Sequence, residues 1–495
     1  MTNADVRPAP PSGLGRRAVR GAVLVVGGQV GRIVIQVVSV VVLARLLAPH
    51  DYGLVAMVMA VVGVADIFRD FGLSAAAVQA RELSRAQRDN LFWINVVLGL
   101  GLAGLAVLAA PLVADAYGRD ELVDLTRVLA LLFVVNGVAT QYRADLNRRL
   151  HFGALAFADV AASLAGLLAG VIAALNGAGY WSLAAQQLTQ VTTMMVLVVV
   201  RAGWRPGAPD RSAPMAGLVR FGWHLVGSQV VGYVGNNADT FVIGTRFGAA
   251  PLGLYNRGFQ LLMTPLGQLR GPTTSVALPV LSRIQDDVPR YQSFLLRGQL
   301  ALGYGLVVGL GLVAGAAAPI TAVFLGEQWV EVVPILRALA IAGGLQTLAF
   351  VGYWVYLSRG LTAQLRRYTV LTAGLRIGCI LIGSHWGVRG VAVAYATAAA
   401  LEWPLSIWWL SRMSPLPAGG LVRGAVRIIV VAAAAGVASW GAATAAATWA
   451  PAVGLLLAAL AGLAAVAVLV RVVPALGDDV RQVLAAVRQA RRARA

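Results

Sequence analysis

The chain is 495 residues long, 59% hydrophobic and 12% charged, with a mean hydropathy of +0.76, values that exclude an ordinary soluble domain. Its formal charge of +19 comes from arginine without a single lysine, and the arginines are spread gap by gap instead of along one face, which argues against a nucleic-acid partner. The lone cysteine, Cys379, excludes an intrachain disulfide and reads as a small buried hydrophobe.

In chain order, residues 1–20 are polar and proline-rich and read as a cytoplasmic N-terminal tail. The apolar stretch behind them is longer than a signal-peptide core, so no cleavage is expected. About fourteen apolar stretches follow, each close to the ~20 residues a helix needs to cross a bilayer. Those at 21–47, 52–78, 90–114, 122–143, 153–176 and 180–201 make a first lobe, 21–201. Those at 217–246, 252–280, 298–324, 332–357, 364–384 and 388–410 make a second, 217–410. Two further spans, within 422–473, cover 422–447 and 452–473. The segment 474–495 alternates apolar residues and arginine at helical spacing, as a cytoplasmic amphipathic helix on anionic lipid would.

Arginine occupies every second gap. It is found in the N-terminal tail (Arg7, Arg16, Arg17, Arg20), then at Arg81 to Arg88, Arg143 to Arg149, Arg201 to Arg220, Arg283 to Arg297, Arg359 to Arg367 and Arg412 to Arg427, and in the C-terminal tail. The alternate gaps, such as His50-Asp51, Asp115 to Glu121 and Gly326 to Glu331, are short and neutral or acidic. Because basic residues collect in cytoplasmic loops, this pattern predicts an even number of spans, both termini cytoplasmic, in a multi-pass plasma-membrane protein.

The chain also repeats itself. Leu46 to Leu54 (LLAPHDYGL) resembles Arg246 to Leu254 (RFGAAPLGL), and Ala110 to Gly118 (APLVADAYG) resembles Ala318 to Gly326 (APITAVFLG). An even number of spans separates the copies, so the two six-helix lobes are expected to be parallel repeats, a design that places a transporter's substrate site between its lobes.

Charged residues inside spans are costly, by ~2.5–3.5 kcal/mol at the helix centre, and usually face a cavity or a partner. Asp66, Arg69 and Asp70 can pair with one another at helical spacing, Arg127 and Arg246 can snorkel, and Arg376 can either pair with Glu402 or be lifted to the interface by a shifted span boundary. Asp159 is a further charge in the fifth span. The first span carries Gln29, Arg32 and Gln36 on one face. The seventh carries Gln229, Asn236, Asn237 and Asp239, and the eighth Asn256, Arg257, Gln260, Thr264, Gln268 and Arg270. Together these stripes predict a polar, net-positive cavity, with interhelical hydrogen bonding as the alternative use. Arginine stays charged when buried and makes bidentate bonds to phosphate, and the amides suit sugar hydroxyls. The chemistry fits a lipid-linked anionic glycan.

Leu254 to Leu266 (LYNRGFQLLMTPL) and Val276 to Asp287 (VALPVLSRIQDD), with Asn236 to Asp239 (NNAD), Ile243-Gly244, Gly253 and Tyr255, resemble signatures of bacterial Wzx-type polysaccharide-exporter flippases. These belong to the multidrug/oligosaccharidyl-lipid/polysaccharide superfamily, and the colanic acid and teichuronic acid exporters look nearest. The resemblance implies an all-α, two-lobed transporter moving undecaprenyl-diphosphate-linked oligosaccharide to the outer leaflet by alternating access. It implies no cofactor beyond H⁺ or Na⁺ coupling, which varies across the superfamily. Membrane lipids, a polysaccharide polymerase and a chain-length regulator are the partners it suggests. No catalytic motif is carried over.

Three other readings stay open. A murein lipid II flippase would also handle a pyrophosphate. A multidrug antiporter would favour cavity carboxylates over arginine. A membrane polymerase or ligase would need a sizeable outer loop, whereas the chain shows no metal spacing, nucleotide loop or Ser/His/Asp set, and its four histidines (His50, His151, His224, His385) read as structural.

Overall fold

The computed structural model describes residues 14–70, 83–210 and 212–492, and every regular element among them is helical. In chain order the helices are α1 (Leu14–Leu46), α2 (Pro49–Asp70), α3 (Arg85–Tyr117), α4 (Glu121–Leu129), α5 (Leu131–Arg148), α6 (Phe152–Leu175), α7 (Trp181–Ala202), α8 (Ala216–Phe247) and α9 (Ala249–Arg283). After these come α10 (Val288–Leu302), α11 (Val308–Gly315), α12 (Ala317–Phe324), α13 (Val332–Ser358), α14 (Thr362–Gly383), α15 (Gly387–Ser411), α16 (Ala418–Ala445), α17 (Pro451–Val472) and α18 (Pro474–Arg492).

Among the described residues ten stretches are long and apolar enough to cross a membrane, one of which, Thr362–Ser411, is 50 residues long and holds both α14 and α15. The protein is therefore an all-helical, multi-pass membrane protein. In hydrocarbon a spanning segment must bond its own backbone, and helices do so. The predicted second span continues to residue 78, and residues 71–82 lie outside the described residues, as do the side chains of Asp66, Arg69, Asp70, His224 and Gln229.

The chain divides into two compact units: 1–39 with 61–227, and 40–60 with 228–495. The predicted lobes differ from these units at two places: the α1–α2 tip, 40–60, groups with the second unit, and 217–227 with the first.

In the first unit α6 and α7 form a close hairpin in which Gly166 and Gly170 lie against Gln186, Gln190 and Ser182. α3 and α5 meet reciprocally. A Cβ on Gly99 would lie 2.6 Å from the Phe133 carbonyl, and one on Gly137 would lie 2.7 Å from that of Asn95. Glycine permits this approach, and van der Waals packing is what holds helices together in lipid. Ser84 and Gln87 form a capping box at the start of α3. The loop after α7 is pinned there: Trp93 donates to the Gly207 carbonyl at 2.8 Å, and Asn90 exchanges bonds with the Asp210 backbone at 2.6 and 2.8 Å. Asp210 in turn accepts from the Ser212 hydroxyl and amide, which hold its carboxyl below the usual range. Arg88 lies between Asp89 and Asp145 and over the Trp204 ring at 4.1 Å. Asp159 pairs with Arg143 at 3.0 Å.

In the second unit α13 is central and packs on α9, α11 and α15, while α16 packs on α11 and α17. Three prolines, Pro265, Pro272 and Pro279, sit seven residues apart within α9, each removing a main-chain donor. α18 folds back onto this unit. Leu476 enters a cluster with Val308, Val431 and Ala435, and buried Asp479 pairs with Arg427 at 3.0 Å and accepts from the Tyr304 hydroxyl at 3.2 Å. Burial pushes the Asp479 carboxyl up, and Arg427 and Tyr304 oppose that shift. The amphipathic C-terminal helix thus docks on protein through its first turns.

The tips of α1–α2 and α8–α9, which carry the LLAPHDYGL and RFGAAPLGL strings, meet each other. A Cβ on Gly53 would overlap the Ala249 carbonyl, and one on Gly253 would overlap that of Pro49. Gly53 aligns with Gly253 and Pro49 with Ala249 in the repeat, so the contact is reciprocal, as across a local two-fold. Backbone cannot yield as a flexible side chain can. Gly253→Val should therefore cost about 1–3 kcal/mol and lower the thermal midpoint of the purified protein. Gly101→Ala, where a Cβ meets nothing within 4 Å, should stabilise by roughly 0.5–1 kcal/mol. Equal midpoints for the two variants would contradict the tight tip contact.

Candidate functional site

Two polar groups are buried in the second unit, and both are built on α9. The first sits beneath the hairpin tips. Arg257 is only 7% exposed and its guanidinium lies 3.5 Å from the centre of the Tyr52 ring. Tyr52 is held edge-on by Trp329 at 5.5 Å, and Trp329 donates to the Ala44 carbonyl at 2.8 Å. Gln328 donates to the same carbonyl at 2.7 Å, and Arg45 to that of Val323 at 2.6 Å. The aromatic residues therefore fix Arg257 through the α1–α2 tip. Its Nε and the Tyr52 hydroxyl are buried without a hydrogen-bond partner, and no carboxylate pairs with it among the described residues. A desolvated cation–π contact contributes about 2 kcal/mol or more, which only roughly offsets the ~2.5–3.5 kcal/mol that a charge in a span costs.

The second group joins α8, α9, α14 and α15. Asp239, 2% exposed, accepts from the Tyr255 hydroxyl at 2.5 Å and from the Thr240 amide at 2.8 Å. Arg376 forks onto Glu402 with three contacts of 2.9 to 3.1 Å, and its remaining nitrogen donates to Asn236 at 2.9 Å. The same guanidinium lies 5.4 Å from the centre of the Tyr395 ring, and Gln346 donates to the Tyr395 hydroxyl at 3.2 Å. The expected Arg376–Glu402 pair forms, and it recruits Asn236. Each carboxylate in the group is already engaged, Glu402 by a guanidinium and Asp239 by a phenol. Among the described residues no three His, Cys, Asp or Glu side chains converge as metal ligands would.

Gln260 donates to Asn256 at 2.7 Å along α9, and Asn237 to the Tyr233 carbonyl at 2.9 Å. Arg270, half-buried, has its guanidinium 5.7 Å from the Phe350 ring centre. Gln29, Arg32 and Gln36 are half-buried on α1 within the first unit, and Arg32 makes no hydrogen bond or ion pair among the described residues. The structure thus brings Asn236, Asp239 and Arg376 to one place and Arg257 to another. Sequence reasoning gave no site role to Tyr52 or Tyr395, and took Tyr255 only as part of the family signature. Tyr52 and Tyr255 lie in or beside the repeated tip strings, which was the available signal.

A polysaccharide biosynthesis protein family model matches residues 42–334. The chain belongs to that family. Within it, similarity reaches a lipopolysaccharide biosynthesis protein, WzxC of Escherichia coli strain K12, 26% identical over 74% of this chain and 76% of that one. The teichuronic acid biosynthesis protein TuaB of Bacillus subtilis is 29% identical over 76% of this chain and 79% of its own length. The succinoglycan biosynthesis transport protein ExoT of Rhizobium meliloti is 26% identical over 70% of each. Among solved structures, the lipid II flippase MurJ in an inward closed conformation matches 92% of this chain and 99% of its own with a TM-score of 0.68 at 12% identity. An inward-facing multidrug transporter of the MATE family matches with a TM-score of 0.58 over 81% of this chain and 98% of that one, also at 12% identity. At these identities the likeness is one of fold.

The Arg376–Glu402 pair gives this polysaccharide biosynthesis protein a stability test. Arg376→Met leaves a buried carboxylate unpaired and should cost about 3–5 kcal/mol. Arg376→Met with Glu402→Leu removes both charges and should recover most of the loss. Thermal unfolding of the purified variants measures this, and a double variant no better than the single would refute pairing as the dominant role.

Proposed function

We propose that the chain is a flippase carrying undecaprenyl-diphosphate-linked oligosaccharide from the inner to the outer leaflet of the bacterial plasma membrane by alternating access, as a transporter and not an enzyme. The product would serve exopolysaccharide, capsule or other cell-surface glycan synthesis, with a polysaccharide polymerase and a chain-length regulator acting downstream. The family match over residues 42–334 carries this reading. Relatives named for lipopolysaccharide, teichuronic acid and succinoglycan synthesis support the substrate class.

The finer topology belongs to the same proposal: fourteen spans, both termini cytoplasmic, and two parallel repeats. The reciprocal contact of Gly53 with Ala249 and of Gly253 with Pro49 supports the repeat, because tips meeting at one membrane face share one orientation. Reporter fusions at Tyr117, Gly326 and Ala450 should read outside, and fusions at Gln87 and Asp286 inside. Inversion at two of these sites would defeat the arrangement.

Arg257 is the proposed phosphate ligand, with Arg32 and Arg270 as further positive groups and Gln29, Gln36, Asn236, Asn237, Asp239 and Gln260 as polar contacts. Tyr52 sheathes Arg257 in this state, so release of the α1–α2 tip would expose a guanidinium whose Nε has no hydrogen-bond partner among the described residues. Coupling to H⁺ or Na⁺ would act through Asp239, which changes its partner if Tyr255 is withdrawn. A lipid II flippase reading is favoured by the fold likeness alone.

Arg257→Lys keeps the charge but loses the planar fork, and Arg257→Gln loses the charge. Both should impair glycan export at normal protein level, Gln the more. Loss of about 2–4 kcal/mol of charge-assisted bonding corresponds to a rate fall of roughly 30-fold or more. Export at the unaltered rate in Arg257→Gln would end the phosphate role.

A further inference from the structure

Away from both polar groups, the second unit has an apolar groove of about 470 Å³ where α11, α13 and α16 come together. On α13 it is lined by Arg337, Ile341, Gly344 and Leu348, and on α16 by Ile429, Ala433, Val437 and Trp440. On each helix the first and last lining residues are eleven positions apart, and the intermediate spacings of three, four and seven keep them on one face. Eleven residues rise about 16 Å along a helix.

The floor is made of glycine. Cβ atoms on Gly311 and Gly315 would overlap the Ala432 and Gly436 carbonyls, so α11 and α16 approach backbone to backbone and leave a channel where larger side chains would stand. The walls open outward: Val437 is 66% exposed and Trp440 50% exposed. One end is marked by Arg337, five residues into α13 from the Gly326–Glu331 turn, and by Trp440, five residues before the end of α16. Arg337 is the one charged lining residue, half-buried, and makes no hydrogen bond or ion pair among the described residues. Tryptophan and arginine at this depth suit the boundary between acyl chains and headgroups.

We infer that the groove holds one acyl chain of an anionic membrane phospholipid, with the headgroup phosphate on the Arg337 guanidinium. Charge complementarity selects an anionic headgroup, and the fork of the guanidinium suits phosphate oxygens. Length selects the lipid. The groove covers about half of the ~30 Å hydrocarbon core, which is one leaflet's share. A long polyprenyl chain would overrun it. The site shares no residue with the Arg257 or Asp239 groups, so it stands apart from the transport reading.

The test uses full-length protein stripped of lipid and reconstituted with phosphatidylglycerol or phosphatidylcholine that carries a photoactivatable diazirine on its acyl chain. Crosslinks should map to 307–315, 337–348 and 429–440, with phosphatidylglycerol preferred by about tenfold. Arg337→Gln should bring that preference close to one while crosslinking persists. Ala433→Phe, which fills the channel from an exposed position, should abolish crosslinking at these peptides for both lipids. No preference between the two lipids in the unaltered protein, or a preference unchanged in Arg337→Gln, would overturn the headgroup assignment. Crosslinks distributed evenly over the lipid-facing helices would overturn the groove itself, and crosslinks to a second copy of the chain at these peptides would assign the face to self-association.

Discussion

Helices in a bilayer gain little from leaving the surrounding lipid, since hydrocarbon chains are as apolar as leucine. What remains is close approach, and glycine is the residue that allows it. The second unit depends on this at two places, the reciprocal Gly53–Gly253 tips and the line of Gly311 and Gly315 against Ala432 and Gly436. The first brings Tyr52 over Arg257. The second leaves a channel open beside α13. At the tips, the absence of a side chain thus sets a guanidinium against an aromatic ring.

That contrast sorts the arginines of the spans. Arg143 and Arg376 have carboxylate partners at 3.0 and 2.9 Å, and a fork onto Glu402 satisfies the charge within the protein. A paired arginine of this kind is part of the bundle's structure, and its removal is felt as instability. Arg257 and Arg337 have no such partner among the described residues, and one faces an aromatic ring while the other edges an apolar groove. Arg257 is covered by the Tyr52 ring, whereas Arg337 stands at the edge of a groove whose walls open outward. The same residue type thus serves two ends, separated by what stands opposite it.

Much of the fold could be read from the chain. Hydropathy located the long apolar helices, because length and apolarity are local properties. The string LYNRGFQLLMTPL identified the family at Tyr255 and Arg257, which lie in the buried core of α9. The Arg376–Glu402 pair was legible because two opposite charges in adjacent spans have few alternatives. Partners made by tertiary contact were not legible. Nothing local says that Tyr52, about 200 residues away, covers Arg257, or that Tyr255 and not an arginine engages Asp239. The packing of the α1–α2 tip with the second unit was hidden for the same reason, although the repeated strings supplied its register. The docking of α18 was masked by its composition, since a helix rich in arginine on one face reads as a lipid-surface helix whether or not its first turn meets protein.

Asp239 on α8 and Arg257 on α9 belong to one hairpin, and each meets an aromatic residue: Tyr255 donates to the acid and Tyr52 covers the guanidinium. A phenol in place of a direct salt bridge has a physical consequence. A salt bridge in hydrocarbon is deep and hard to open, because separating the charges exposes both to a medium that cannot solvate them. A neutral phenol bond or a ring face holds its ion more weakly and releases it without stranding a second charge. Tyrosine at both points therefore leaves Asp239 and Arg257 each engaged by a neutral partner, with neither in a direct salt bridge among the described residues.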